Sequence, residues 1–200
     1  MFVFIIDGSD YAYILGMYLG DGCLGGPKPG GQLKIALDAA YPGIIDECAT
    51  VLGRISPNKV TVRPDSRENH NGVFVYSGWK RWPLLFPQHG PGRKHERQIV
   101  LTQWQWDLVR HHREQFIRGL IHSDGCRTIN RFKTKLPSGR VAEYEYVRYF
   151  FSNMSAQIRQ LFIQVCSEFG IRTTQSNHRN ISVSHRDSVA IMERIVGPKS

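Results

Sequence analysis

The sequence has no hydrophobic run long enough to cross a membrane. The apolar run Phe2–Ile6 is much shorter than the roughly 18 residues that a transmembrane helix requires. It is also too short for the hydrophobic region of a secretory signal peptide, and no basic segment precedes it. The sequence therefore predicts an intracellular, cytoplasmic protein with no export signal and no membrane partner.

Cysteines and acidic residues are scarce as well. The four cysteines form no Cys-x-x-Cys pair, which disfavours a zinc site, and we interpret them as reduced side chains. The 17 acidic residues are outnumbered by 26 lysines and arginines, so the formal net charge is +9. Because a strongly basic chain attracts polyanions, the composition favours nucleic acid as the partner.

Two common phosphate-binding and nuclease motifs are incomplete. The glycine-rich segment Gly25–Gly31 lacks the Gly-Lys-Ser/Thr ending of a phosphate-binding loop, so we interpret it as a connection. His70 and Asn71 resemble part of an HNH nuclease motif, but no second metal-binding histidine or cysteine pair stands at a useful spacing. The sequence therefore favours neither a P-loop protein nor an HNH nuclease.

One segment of the chain occurs twice, at an offset of 103 residues. The segments Tyr13–Cys23 and Phe116–Cys126 share two glycines, an aspartate and a cysteine at matching positions. Weaker matches follow in the same order, including apolar stretches that end in glycine at Ile44–Gly53 and Ile158–Gly170. This repetition predicts two similar halves, residues 1–110 and 111–200.

Each half is predicted to contain a helix, two strands, a helix, two strands and a helix. In Cys126–Leu136 one face carries the basic residues and the other carries Phe132 and Leu136, an alternation typical of a strand. The turn sequence at Pro137–Gly139 and the β-favouring segment Val141–Ser152 predict a hairpin. In the first half Leu33, Ile35 and Leu37 alternate with Gln32, Lys34 and Ala36 in the same way. We therefore expect antiparallel sheets with one face packed on helices and one basic face open.

Strand parity alone selects the candidate DNA-contacting residues. They are Lys34, Arg63, Arg127, Arg131, Lys133, Lys135 and Arg148. Arginine and lysine on strands can read guanine edges or neutralise phosphates, and the sequence does not separate these roles. The same parity predicts that Phe132 and Leu136 are buried against the helices.

The repeated segments are predicted to form two helices that pack closely through small residues. Gly16 and Gly20 lie on one helical face, as do Gly119 and Ser123 in the second copy. A glycine inside a helix costs about 1 kcal/mol relative to alanine, so its recurrence at equivalent positions indicates close approach of another backbone. The two helices should therefore run side by side, with converging C-terminal ends.

The converging ends carry Asp21 and Asp124. Each is followed by a glycine, Gly22 or Gly125, which predicts a left-handed turn at the helix end. Two carboxylates there repel each other and oppose the helix dipoles, so a hard divalent cation such as Mg²⁺ would stabilise them. Such a site is suited to metal-assisted hydrolysis of a phosphodiester.

The segments Ile14–Gly22 and Ile117–Gly125 resemble the signature of the LAGLIDADG homing endonucleases. The resemblance extends over Asp10–Gly197 and implies an α+β fold. In this fold two pseudo-symmetric αββαββα halves with antiparallel saddle-shaped sheets pack through the two motif helices. Leu19 and His122 occupy the position of the earlier acidic residue in the family signature, which is structural and variable.

The resemblance also implies a function, a cofactor and a set of site residues. It implies a monomeric, site-specific endonuclease for double-stranded DNA that uses Mg²⁺, with Mn²⁺ as a substitute, whereas Ca²⁺ should support binding without cleavage. The implied metal ligands are Asp21 and Asp124 together with the backbone carbonyls of Gly20 and Ser123. Two other functions remain open: a DNA-binding regulator that does not cut, and an RNA-splicing maturase.

Two further catalytic positions are implied less directly. Family members use a polar residue at the end of a hairpin strand and a lysine near the last strand of a half to organise the catalytic waters. Asn153 is the candidate for the polar residue, with Asp38 as the alternative. Lys80 is the candidate for the lysine, with His185 or Arg186 as alternatives.

Overall fold

The computed structural model describes residues 6–26, 31–67 and 70–200. Most of the predicted run Phe2–Ile6 and of the predicted loop Gly25–Gly31 lies outside these ranges. The elements of the first half are α1 Gly8–Asp21, β1 Gly22–Gly25, β2 Gln32–Asp38, α2 Pro42–Ile55, β3 Val60–Pro64, β4 Gly72–Gly78 and α3 Trp82–Leu85. After a 3₁₀ turn at Lys94–Glu96, the chain continues through α4 Gln103–His111, α5 Arg113–Asp124, β5 Gly125–Lys135, β6 Val141–Ser152, α6 Ala156–Glu168, β7 Thr174–Gln175, β8 Asn180–Val183 and α7 Arg186–Ile195.

The eight strands form two antiparallel sheets with the same internal order. One sheet has the order β1-β2-β4-β3, and the other has the order β5-β6-β8-β7. Because each sheet follows its own motif helix, the predicted pair of αββαββα units is confirmed. None of the helices in the described part of the chain is both long and apolar enough to cross a membrane.

Helices α1 and α5 pack against each other at the centre of the molecule. Every residue of α1 from Tyr11 to Leu19 is buried, since α2 and the first sheet cover the sides that α5 leaves free. A helix that is apolar on all sides is stable only in such a buried position. The Asp7 side chain caps its start by accepting a hydrogen bond from the Asp10 amide.

The predicted close approach of the two motif helices is confirmed. A Cβ atom on Gly16 would lie 2.6 Å from the Phe116 carbonyl oxygen and 2.8 Å from the Leu120 amide nitrogen. A Cβ atom on Gly119 would collide with the Tyr13 carbonyl oxygen. Each glycine therefore lies directly against the backbone of the other helix.

The first sheet follows the predicted alternation. Leu33 and Ile35 of β2 are fully buried with Val75 of β4, and this face packs on the helices. Lys34 lies on the opposite face, as does Arg63, whose partner across β3 and β4 is Phe74. We call the face of each sheet that turns away from the helices its open face.

In the second sheet the predicted assignment of faces is wrong. Arg127 pairs with the fully buried Tyr149, so the row of basic residues that begins at Arg127 lies on the helix-packed side. Phe132 pairs with Tyr144 on the open side and is 44% exposed, and Leu136 is only half-buried. Alternation shows which residues share a face, but it does not show which face the helices cover.

Phe132→Ala should therefore cost less than about 1 kcal/mol of unfolding free energy, because the ring is not enclosed in a core. Phe151→Ala is the matched control, since the Phe151 ring is fully buried and stacks on Phe162 at 4.6 Å. It should cost about 3 to 5 kcal/mol. Denaturant unfolding of both variants measures the difference, and equal losses would contradict the observed assignment of faces.

Candidate metal centre and nucleic-acid interface

The C-terminal ends of α1 and α5 bring Asp21 and Asp124 together. A Cβ atom on Gly20 would collide with the Ser123 side chain and would lie 3.2 Å from Cγ of Asp124. The small residues on both helices therefore allow the last turns to meet. The Ser123 hydroxyl donates to the Gly119 and Leu120 carbonyls at 3.0 Å, so it turns back along its own helix.

The glycines after the two aspartates do not adopt the predicted left-handed turn. Gly22 has φ −89° and ψ 154°, and Gly125 has φ −110° and ψ 170°, so both are extended and lead directly into β1 and β5. Their small size is required for a different reason. A Cβ atom on Gly22 would collide with the Tyr18 backbone, and one on Gly125 would lie 2.8 Å from the Cα atom of Ile121.

The two carboxylates destabilise each other in the absence of a cation. Burial, and to a lesser extent the neighbouring Asp124, raise the pKa of Asp21 to about 7. Burial also raises the pKa of Asp124, while a hydrogen bond from Asn153 opposes that shift. Because a divalent cation would relieve both burial and repulsion, this pair fits the Mg²⁺ site expected from the sequence.

The structure places Asn153 beside the metal candidates. Its amide group donates a hydrogen bond to Oδ2 of Asp124. The Asn153 side-chain oxygen accepts from the Ser155 amide at 2.7 Å, and its backbone amide donates to the Arg179 carbonyl at 3.1 Å. Asn153 is thus fixed at both ends and can hold one orientation of Asp124.

Lys94 is the functional candidate that the sequence analysis missed. Its ammonium group donates to the carbonyls of Tyr18, Leu19 and Gly20 at 2.6, 2.9 and 2.5 Å, so it occupies the C-terminal end of α1. Burial lowers the pKa of Lys94 to about 8, and the nearby Asp124 and Asp21 oppose this decrease. Lys94 therefore places a positive charge beside the carboxylate pair.

Lys199 occupies a similar position in the second half. It donates to the His122 carbonyl near the end of α5 at 3.0 Å. Burial lowers its pKa, and Asp21 is the largest opposing influence. Lys94 and Lys199 are separated along the sequence by nearly the 103-residue offset of the repeated segments. This spacing is the sequence signal that could have identified them.

Lys80 does not join this group of residues. It is exposed in the turn after Gly78, where β4 pairs with Gln32. Gly22, which follows Asp21, pairs with Ile35 instead. Gln32 and Ile35 are three residues apart on β2, which corresponds to roughly 10 Å. The lysines that the structure brings to the carboxylates are therefore Lys94 and Lys199.

The candidate ligand set contains two side-chain carboxylates. Within residues 6–26, 31–67 and 70–200, no three or more histidine, cysteine, aspartate or glutamate side chains cluster in a way that could hold a metal ion. The carbonyls of Gly20 and Ser123, at the same helix ends, are the additional oxygen donors that the resemblance implied. Carboxylates, carbonyls and waters together form the hard oxygen environment that Mg²⁺ prefers.

The open faces carry basic residues supported by aromatic rings. Lys34 lies 3.4 Å from the centre of the Phe74 ring. Arg148 lies 4.9 Å from the centre of the Tyr146 ring and donates to its hydroxyl at 2.8 Å. Arg63, the third predicted DNA-contacting residue on these faces, lies 6.0 Å from the centre of the Tyr76 ring.

The other predicted DNA-contacting residues lie on the opposite face of β5. Three of them are ion-paired with glutamates: Arg127 with Glu193, Arg131 with Glu145, and Lys133 with Glu143. Lys135 is exposed at the end of β5 and pairs across the strands with Val141. Their contact with DNA remains a prediction. The expectation that their row lies on the open face is wrong, because it lies on the helix-packed side.

Comparison with solved structures defines the fold. No protein-family model and no curated protein matches the sequence. The N-terminal LAGLIDADG domain of WhiA is similar with a TM-score of 0.57 and 12% identity, over 99% of this chain and 85% of that domain. The homing endonuclease I-WcaI, bound to its DNA recognition sequence, is similar with a TM-score of 0.56 and 14% identity, over 97% and 83% of the two chains.

A third similar structure is a mesophilic variant of the homing endonuclease I-DmoI. Its TM-score is 0.55 and its identity 14%, over 94% of this chain and 90% of that chain. The chain described above therefore has the LAGLIDADG fold, as the resemblance of its two signatures predicted.

Proposed function

We propose that this protein is a site-specific endonuclease that cleaves double-stranded DNA with divalent metal ions held at Asp21 and Asp124. The observation that carries the proposal is the meeting of two half-buried carboxylates at the ends of the paired helices, with Lys94 beside them. The fold supports it, since I-WcaI and I-DmoI are homing endonucleases of the same architecture. The basic charge of the chain supports it independently.

The two halves, residues 1–110 and 111–200, would each engage one half of the target. Both sheets belong to one chain, so a monomer supplies the whole interface. The open faces would lie in the major groove, where Lys34, Arg63 and Arg148 are available for phosphates or guanine edges. The carboxylate pair lies between the halves, which would place the scissile phosphates where the two half-sites meet.

At the centre, Asp21, Asp124 and the carbonyls of Gly20 and Ser123 would hold the metal ions. Divalent metal ions supply an activated water and stabilise the leaving oxygen. Asn153 keeps Asp124 oriented through its hydrogen bond. Lys94 contributes a fixed positive charge close to the phosphate, where negative charge increases during the reaction.

The proposed cofactor is Mg²⁺, and Mn²⁺ should replace it. Variants of I-DmoI with the same fold were crystallised with target DNA in the presence of Mn²⁺. Ca²⁺ is larger and accepts looser coordination, so we expect it to support DNA binding without cleavage.

Lys94→Met should slow cleavage by about 10²-fold, because it removes a positive charge from the site of the developing charge. Lys80→Met is the matched control, since Lys80 is exposed away from the carboxylates, and its cleavage rate should stay unchanged. Single-turnover cleavage rates at saturating protein measure both effects. A larger loss in Lys80→Met than in Lys94→Met would reverse the assignment.

A second candidate is a DNA-binding regulator that does not cut, and the observation behind it is that the same fold occurs in the WhiA domain, which is not named as an endonuclease. Selection of bound duplexes from a randomised pool in Ca²⁺ is the step that must come before the two candidates can be separated by cleavage. Enrichment of one sequence supports both candidates and supplies the target for cleavage assays. Failure to enrich any duplex would contradict both.

A further inference from the structure

The two halves differ in the length of their first hairpin. Strands β5 and β6 have 11 and 12 residues, whereas β1 and β2 have 4 and 7. In the second sheet β8 pairs only with Tyr149–Ser152 of β6. The rest of the hairpin, residues 128–148, therefore extends beyond the four-stranded sheet, and we call this segment the arm.

The two faces of the arm differ in chemistry. The face that continues the helix-packed side carries two ion pairs, Arg131 with Glu145 and Lys133 with Glu143. These pairs neutralise each other across the strands and hold the register of the hairpin. The net attraction of this face for phosphates is therefore small.

The other face of the arm continues the open face of the sheet. Phe132 stacks on Tyr144 with ring centres 5.2 Å apart, and Tyr146 meets Phe132 edge-on at 5.8 Å. Phe132 and Tyr144 are each 44% exposed. Asn130, which pairs with Tyr146, shares this face. An exposed aromatic cluster on the open face of a strand pair has the composition of a contact surface.

We infer that the open face of the arm reads the outer base pairs of one half of the DNA target, which makes the two half-sites unequal in length. This inference rests on the proposed function and deepens it. The arm joins the sheet at Arg148, which lies on the open face. A duplex bound to the open face of the sheet would therefore continue along the open face of the arm. At about 3.3 Å per strand residue and 3.4 Å per base pair, the longer strands add roughly six base pairs to one side.

The residues on this face also predict which bases they prefer. The apolar group that the major groove presents is the methyl group of thymine, and it matches an exposed phenyl ring. The asparagine amide matches adenine, to which it can donate and accept at once. Phe132 and Asn130 together therefore favour A·T pairs in the outer part of the longer half-site.

The first test shortens the arm. Replacing residues 131–145 by Asn-Gly places a tight two-residue turn between Asn130 and Tyr146, which already pair. Hydroxyl-radical footprints on the selected target should lose about four to five base pairs of protection at one end only. Unchanged melting temperature is expected, because the removed residues are exposed or half-buried.

The second test keeps the arm and changes one ring. Phe132→Ala should reduce discrimination for thymine at the outer positions about tenfold, and replacing those thymines by uracil should produce the same loss with wild-type protein. Phe132→Ala tested on the uracil-containing target should lose no more discrimination than either change produces alone. Ile129→Ala is the matched control, since Ile129 is 42% exposed on the same strand but on the other face.

The outcomes separate this inference from the proposed function. A footprint that is the same for full-length and shortened arms, or that shrinks at both ends, would overturn the inference and leave the endonuclease proposal intact. The absence of any footprint with either protein would overturn both. An effect of Ile129→Ala equal to that of Phe132→Ala would overturn the assignment of the reading face.

Discussion

Asp21→Asn and Asp124→Asn should each reduce DNA cleavage by at least about 10³-fold, while DNA binding stays at or above the wild-type level. Cleavage falls because an amide binds Mg²⁺ much more weakly than a carboxylate does, and each variant removes one of the two carboxylates that the described residues bring to the site. Binding is preserved because a neutral side chain no longer repels the phosphates. Single-turnover cleavage and gel-shift titration in Ca²⁺ measure the two quantities separately.

Asp46→Asn is the control for this pair of variants. Asp46 is an exposed aspartate of α2. Its substitution should change neither DNA binding nor DNA cleavage. Near wild-type cleavage by both Asp21→Asn and Asp124→Asn would disprove the proposed metal site.

The same variants should be more stable than the wild type when no metal is present. The pKa of Asp21 is raised from 3.8 to about 7 in the folded protein, so folding favours its protonated form. Stability from this group is therefore complete below about pH 4 and falls as the pH rises towards 7. At pH 8, Asp21→Asn should raise the unfolding free energy by about 1 to 3 kcal/mol, since Asp21 is only half-buried.

Mg²⁺ should reverse this difference. Added metal stabilises the wild type through binding to the folded state and leaves Asp21→Asn nearly unchanged. Denaturant unfolding at pH 4 and pH 8, with and without Mg²⁺, measures each effect. A wild type that is equally stable at both pH values and indifferent to Mg²⁺ would contradict the proposed electrostatics.

Gly16→Leu and Gly119→Leu should strongly destabilise the protein, because each new side chain meets the backbone of the opposite helix. Overpacking of a core costs about 1 to 3 kcal/mol where side chains can move aside. Backbone atoms cannot move aside without separating α1 from α5, so we expect losses at or above the upper end of that range. The loss is a large part of a total stability of about 5 to 15 kcal/mol.

Gly53→Leu is the matched control for these helix variants. Gly53 lies in α2, where a Cβ atom would lie at an ordinary 3.9 Å from Cγ2 of Val60. The substitution should be neutral or stabilising by up to about 1 kcal/mol, since leucine is the better helix former. Melting temperatures equal to the wild type for both Gly16→Leu and Gly119→Leu would show that the two helices do not pack as described.

The sequence predicts the architecture because the relevant signals are local and occur twice. The repeated segment places Asp21 and Asp124 at equivalent helix ends, and the small residues at Gly16 and Gly119 predict the helix pair. The alternation in Leu33–Leu37 also predicts the buried face of the first sheet correctly. Each of these features depends on spacing along one element.

The features that could not be predicted depend on contacts between distant segments. The buried face of β5 is determined by the side on which the helices pack, so Phe132 is exposed although its alternation is regular. Lys94 lies in an irregular connection, and only the fold brings it to the end of α1. Gly22 is extended rather than left-handed because the chain passes directly from helix to strand.

The most direct test of the account is the addition of Mg²⁺ to the complex of this protein with its Ca²⁺-selected target, after Ca²⁺ has been removed. We expect one cut in each strand inside the footprint, where the two half-sites meet, with Mn²⁺ giving the same cuts and Ca²⁺ giving none. Mapping the ends of both labelled strands on a denaturing gel makes this measurement. Intact strands in both Mg²⁺ and Mn²⁺, with the protein in excess and fully bound, would contradict it.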